Sequence, residues 1–135
     1  MTFGGTGYGS AGRDASEIAR HRELGEVGGL SSVELRPVGT LDIESADDFR
    51  QTFARALESG VTQLFVDLGE VSYIDSTGLG SLMQLYREAK SRGGKTWFYG
   101  MTPPVQEIFS LTRLDKIVAL YGTRREAFAE AEGSG

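Results

Sequence analysis

From Leu30 to Glu130 the sequence switches repeatedly between two hydrophobic periods, with glycine or proline at most of the switches. Gln63-Leu64-Phe65-Val66-Asp67-Leu68 is a near-continuous apolar run of strand length, the pattern of a strand covered on both faces. Val71–Ile74 resumes it after a Gly-Glu break, and Lys95–Tyr99 and Ile117–Tyr121 are further runs of strand length. Between them the spacing changes to the helical period. Phe49, Phe53, Ala56 and Leu57 form one stripe, Leu79, Leu82, Met83, Tyr86 and Ala89 a second, and Val105, Ile108, Phe109 and Thr112 a third. Start and stop residues agree. Asp42 to Ser45, with Asp47 and Asp48 behind them, open the first helix and Gly60 closes it. Gly93-Gly94 closes the second, Pro103-Pro104 opens the third, and Thr123 caps a last helix through Glu130 with Ala127 and Phe128 inward. Ahead of these, Ser32–Val38 alternates, with Val33, Leu35 and Pro37 on one side and Glu34 and Arg36 on the other, as in a half-exposed strand. Pro37 cannot donate to a ladder, so it marks an edge or a strand end. This order implies an α/β domain with a largely parallel or mixed sheet of four to five strands and about four helices as crossovers.

Glycine is unevenly spread. Of 19 glycines in 135 residues, eight fall in residues 1–29 and five of those in the first twelve. Residues 1–29 read as a flexible Gly-rich tail, too poor in apolar side chains to offset its ordering entropy. A turn or two of helix over Ala15–Leu24 is conceivable within it, as is a partner strand near Arg22–Val27 with Gly28-Gly29 as the turn. The domain proper is expected over residues 30–131, with 132–135 as a C-terminal tail. Gly7-Tyr8-Gly9-Ser10-Ala11-Gly12 matches G-x-G-x-x-G, but nothing before it makes the strand that a dinucleotide site needs.

Many chemistries are excluded by what the chain lacks. Without cysteine there is no disulfide, zinc-thiolate site or iron–sulfur cluster. A formal net charge of −5 disfavours nucleic acid and anionic membrane as partners. The start of the chain has no secretory pattern, and no stretch approaches a membrane span. There is no phosphate loop, nucleophile elbow or metal-ligand cluster, so no cofactor and no metal are expected. His21, the lone histidine, sits in the polar segment Arg20-His21-Arg22-Glu23 and reads as a surface residue rather than a triad base. Asp67 and Asp75 could form an acid/base pair, or Asp67 could bond backbone at the end of its strand.

The most informative stretch is Asp75-Ser76-Thr77-Gly78-Leu79-Gly80, where a strand stops and a helix starts. Asp75, Ser76 and Thr77 are all good cap residues. Gly78 and Gly80 each cost about 1 kcal/mol in a helix relative to alanine, so bulk is being kept from that end. A hydroxyl at a helix N-terminus is well placed to carry phosphate, because open amides and the dipole favour an anion there. A plain capping serine with glycines packed on the next strand accounts for the pattern equally well.

Val66-Asp67-Leu68-x-x-Val71-x-Tyr73-Ile74-Asp75-Ser76-Thr77-Gly78-Leu79-Gly80 resembles the STAS domain of bacterial anti-sigma factor antagonists. Gly39-Thr40-Leu41-Asp42, Ala46 and Phe49, Gly93-Gly94-Lys95 and Val105…Ile108-Phe109…Thr112-x-Leu114 extend the likeness over about residues 31–130. The resemblance implies a single small mixed, mostly parallel sheet with the helices mainly on one face, and a cytoplasmic, non-enzymatic regulator of transcription in a partner-switching pathway, such as a stress response. Its implied partners are an anti-sigma factor with serine-kinase activity and a phosphatase. The unphosphorylated form would bind the anti-sigma factor and free a sigma factor. Phosphorylation at Ser76, with Thr77 as the alternative, would break that complex. Asp42, Asp75, Ser76, Thr77, Gly78, Leu79 and Gly80 are the implied partner-binding residues. A non-switching scaffold or a transporter-accessory module is the other reading of the same domain. The chain departs from the family pattern in its long N-terminal segment, its weak first strand and Pro37.

Overall fold

The computed structural model describes residues 19–134. The chain starts with strand β1 (Ala19–Val27), turns at Gly28-Gly29, and returns antiparallel as β2 (Leu30–Pro37). Both turn glycines have positive φ, 60° and 87°, which side chains rarely tolerate. A short β3 (Gly39–Leu41) leads into helix α1 (Ala46–Glu58). Then follow β4 (Gln63–Asp67), β5 (Val71–Ile74), α2 (Ser76–Ser91), β6 (Lys95–Tyr99), α3 (Pro103–Leu111), a 3-10 turn (Leu114–Lys116), β7 (Leu120–Tyr121) and α4 (Arg124–Ser134). The main sheet has the order β1-β2-β4-β6-β7 and is parallel from β2 onward. β3 and β5 form a second, two-stranded parallel sheet.

The sequence reading needs four adjustments. The expected tail is too long at its C-terminal end: of the two readings of that segment the partner strand near Arg22–Val27, turning at Gly28-Gly29, is the one present, as Ala19–Val27, and the helix is not. β1 is an edge strand, so its stability comes from pairing with β2 along its whole length, and its outer side chains can stay polar. Residues 1–18, with the G-x-G-x-x-G match, lie outside the described residues. β5 does not extend the central sheet. The chain breaks at Gly69-Glu70 and pairs with β3, where Gly39 donates its N–H to Glu70 O (2.9 Å). The last strand is two residues long rather than five, preceded by the 3-10 turn and by Arg113 in a left-handed conformation. Finally, β2 is not half-exposed: Glu34 is only 3% accessible, because α4 covers that side. Pro37 does stand at a strand end, as its missing donor requires.

Two cores follow from β4 being buried on both faces. On one face Val33, Leu35, Leu64, Val66 and Phe98 meet Phe49, Phe53 and Leu57 of α1, Leu82 and Leu85 of α2, and Val105 and Phe109 of α3. Each large side chain buried there stabilises the fold by about 1.5–3 kcal/mol. On the other face Phe65, Trp97 and Tyr99 meet Ala127, Ala131 and the half-buried Phe128 of α4. Phe65 and Phe128 stack with centroids 4.1 Å apart. Three helices thus share one face and the last takes the other. α4 begins with a reciprocal cap: Thr123 Oγ1 accepts the Glu126 N–H, and Glu126 Oε1 accepts the Thr123 N–H, both at 3.1 Å. No helix among the described residues is long and apolar enough to cross a membrane.

Candidate functional site

The small β3–β5 sheet brings two loop ends together. β3 leads into the loop before α1, and β5 leads into α2. Asp75, the residue between β5 and α2, joins them. Its Oδ1 accepts the Gly78 N–H (2.9 Å), closing the first turn of α2, and its Oδ2 accepts the Ile43 N–H (3.2 Å) across the gap. Its own N–H donates to Leu41 O (3.2 Å). Asp42 organises the other side. Its Oδ1 accepts from the Glu44 and Ser45 amides (3.0 and 3.1 Å), and its Oδ2 accepts from Thr40 Oγ1 (3.2 Å). Partial desolvation pushes the Asp42 carboxyl up, but the Ser45 and Glu44 amides and the Thr40 and Ser45 hydroxyls together hold it below its ordinary value.

Ser76 is the first residue of α2 and is exposed; among the described residues its hydroxyl has no hydrogen-bond partner. Thr77 is half-buried. Gly78 is buried against β3, and Gly80 has nothing within 4 Å of where a Cβ would stand. The two glycines therefore differ: one permits a backbone contact, the other leaves open surface. Asp42 and Asp75 shape the loop and cap the helix, and neither holds the Ser76 hydroxyl. Leu79 is half-buried and packs on the core rather than offering itself outward. The exposed apolar residues at this end are instead Ile43 (72% accessible) and Tyr73 (54%), which the sequence reading did not single out. Ile43 stands between two acids with no helical or strand period to explain it, and that was the available signal. Tyr73, paired in register with Thr40, gave none beyond its strand.

The other candidates lie elsewhere. Asp67 accepts the Gly69 N–H (2.9 Å) and pairs with Arg36 (3.2 Å), a strand-end role. His21 is exposed on β1 opposite Leu35. No cluster of three or more potential metal ligands occurs among the described residues.

The STAS domain family model matches residues 22–127. The chain belongs to the STAS domain family. A Thermotoga maritima protein carrying the name of an anti-sigma factor antagonist is 36% identical over 102 residues, 73% of this chain and 88% of that one. A crystal structure of a Thermotoga maritima protein given the name of an anti-sigma factor antagonist superposes with TM-score 0.77 at 30% identity, covering 87% of this chain and 97% of that one. SpoIIAA, also described as an anti-sigma factor antagonist, is 25% identical in both of its solved forms. The unphosphorylated form gives a TM-score of 0.65 over 76% of this chain and 89% of that one. The phosphorylated form, described as a Bacillus cell fate determinant, gives 0.58 over 73% and 89%. The four helices and the mixed sheet of this STAS domain match these neighbours.

The Asp75 bridge can be checked directly. In Asp75→Ala two backbone amides on different elements lose their acceptor, and loss of a cap alone costs about 1–2 kcal/mol. A drop in the urea midpoint with faster amide exchange at Ile43 and Gly78 is expected. A change confined to Gly78 would show that the inter-loop bond carries no weight.

Proposed function

We propose that this STAS domain is an anti-sigma factor antagonist switched by phosphorylation of Ser76. The observation that carries the reading is an exposed, unengaged serine hydroxyl at the first position of α2, next to exposed Ile43 and Tyr73. The names of the relatives and the two solved forms of SpoIIAA support it. Unphosphorylated, this end of the domain binds an anti-sigma factor through the two apolar side chains, the open backbone at Gly80 and the loop shaped by Asp42 and Asp75. A serine kinase activity of that partner then moves the γ-phosphoryl group of ATP to Ser76 Oγ, leaving ADP. Thr77, half-buried, is the poorer acceptor. A phosphatase hydrolyses the phosphoserine, releasing inorganic phosphate and restoring the Ser76 hydroxyl. The domain is substrate and ligand rather than enzyme, and its place is the cytoplasm.

The added charge of about −1.5 to −2 is tolerated by the fold, because the start of a helix favours an anion. The cost falls on the complex, through bulk, desolvation and repulsion. A hundredfold loss of affinity corresponds to about 2.8 kcal/mol, within reach of one buried phosphate. The test is incubation with the cognate anti-sigma factor and ATP, read by intact mass. One phosphate is expected on wild type and on Thr77→Ala, and none on Ser76→Ala. Ser76→Ala should bind the partner with or without ATP, and Ser76→Asp at least about tenfold more weakly. Equal binding by wild type and both variants would favour the fixed-scaffold reading.

A further inference from the structure

Four large apolar side chains stand exposed among the described residues, and they sort into two patches. Ile43 and Tyr73 stand at the β3–β5 end. Leu111 (76% accessible) and Ile117 (57%) bracket the turn that follows α3. The two patches lie at opposite ends of α3. That helix starts beside β5, where Thr102 Oγ1 donates to Val71 O (3.1 Å). Leu111 is its ninth and last residue, about 12 Å along the axis from the start.

The two patches carry opposite charge. Ile43 lies in Asp42-Ile43-Glu44, with Asp47, Asp48 and Arg50 following in the first turns of α1. Glu44 is exposed and makes no ion pair among the described residues, and Asp47 has a long contact to Arg50 (3.5 Å). Between Leu111 and Ile117 stand Arg113 and Lys116. Both are exposed and without an ion pair among the described residues, in a chain of net charge −5. Asp115, the acid of this turn, lines the cavity between α3 and β7. Arg113 has φ 64°, the one positive value outside glycine among the described residues. Glycine would supply that left-handed turn without steric cost, so arginine there stores backbone strain. Folding explains neither this arginine nor the two exposed aliphatic side chains.

We infer that the turn 111–117 of one copy docks on the loop 42–44 of a second copy of this chain. Leu111 and Ile117 meet Ile43 and Tyr73, and Arg113 and Lys116 meet Glu44 and Asp47. One molecule cannot bring its own two patches together, because α3 holds them apart. The contact is therefore head to tail. Each copy gives its turn to one neighbour and its loop to another, and such contacts grow into chains or close into rings. Two apolar contacts ringed by charge make a small interface of the weak, salt-sensitive kind. The loop is also where the proposed anti-sigma factor docks, so self-association competes with that partner. The inference itself does not require phosphorylation of Ser76.

Sedimentation velocity of the full chain at low salt, from about 10 μM to about 1 mM, reads the assembly. The weight-average mass should rise with concentration and pass the dimer value, and about 0.5 M NaCl should return it toward the monomer. Ile43→Asp and Leu111→Asp each put a carboxylate into the apolar centre of the contact, one on the loop and one on the turn. Both positions are exposed, so thermal midpoints should stay near wild type. Each variant alone should be monomeric. Mixed, the two should form a one-to-one dimer and nothing larger, because each keeps the patch that the other has lost. A wild type that stays monomeric throughout overturns the inference, including one that instead sediments with phosphatidylserine vesicles. Association of either variant alone, or a wild-type assembly that stops at two, would show a symmetric contact and overturn it as well. Equal assembly at low and high salt overturns the pairing of Arg113 and Lys116 with the acidic loop.

Discussion

Gly78→Ala is expected to destabilise the domain by roughly 3 kcal/mol or more, whereas Gly80→Ala, two residues along the same helix, should leave stability unchanged or raise it by up to ~1 kcal/mol. On helix propensity alone both substitutions help. At position 78 the new Cβ would stand 1.9 Å from Leu41 O and 2.6 Å from Leu41 C, with Ile74 Cγ1 at 3.1 Å. The first two are backbone atoms of β3, and Leu41 is 1% accessible, so neither can move aside cheaply. α2 would have to retreat from β3, straining the Asp75 N–H to Leu41 O bond and the Asp75–Ile43 tether. At position 80 the Cβ meets nothing within 4 Å. Urea unfolding reads the difference as a large drop in midpoint for one variant and none for the other, with the slope unchanged. The pair also separates fold from function. Under the proposed function Gly80→Gln should fold normally and bind the anti-sigma factor more weakly, because its side chain stands on the docking surface. Similar stability losses at 78 and 80 would contradict the close approach of α2 to β3.

Much of this was legible in the residues, for identifiable reasons. The helices were readable because each carries an apolar stripe with its own start and stop residues. α2, for example, runs from the Asp75 cap to the Gly93-Gly94 turn. β4 was readable because a strand covered on both faces has no polar alternation to confuse. β1 was only half legible: an edge strand held by backbone pairing leaves little trace in side-chain pattern. The separate β3–β5 sheet was hidden because Val71–Ile74 is apolar enough to continue the central sheet, and the decision is made by backbone at Gly69-Glu70. The motif marked Ser76 and its neighbours, but it could not separate Gly78 from Gly80, since both are glycine and only a tertiary contact distinguishes them. Ile43 and Tyr73 were missed because exposed apolar residues at separated positions form no period. Glu34 was misjudged for the opposite reason, since its alternation is that of a solvent face until α4 covers it.

That covered face gives the second large effect. Glu34, 3% accessible, accepts hydrogen bonds from the Tyr99 hydroxyl and from Arg124 Nε (2.8 Å). Burial pushes the Glu34 carboxyl up. The Arg124 and Tyr99 hydrogen bonds and the charges of Arg124 and Arg36 more than offset this and hold it below the ordinary glutamate value. A carboxylate depressed in this way contributes stability above its unfolded pKa of about 4.5, and that contribution is lost as pH falls through the lower folded value. Arg124→Ala removes the strongest partner and leaves a buried charge with the tyrosine. Breaking a fully buried pair costs about 3–5 kcal/mol; Arg124 is 44% accessible, so roughly 2 kcal/mol is expected at pH 7. Without Arg124, burial is opposed only by the Tyr99 hydrogen bond and the Arg36 charge, so the folded Glu34 pKa rises relative to wild type. The deficit relative to wild type should therefore be largest near neutrality and shrink as pH drops toward about 4.5. Glu34→Gln keeps a similar shape without the charge, so Arg124→Ala on that background should cost less than about 1 kcal/mol. Because Arg124 is the first residue of α4, amide exchange along α4 should quicken in Arg124→Ala while α2 stays protected. A deficit that is flat from pH 7 to 4, or equal in the two backgrounds, would show that Arg124 acts through its stacking on the Phe128 ring (4.2 Å) and not through Glu34.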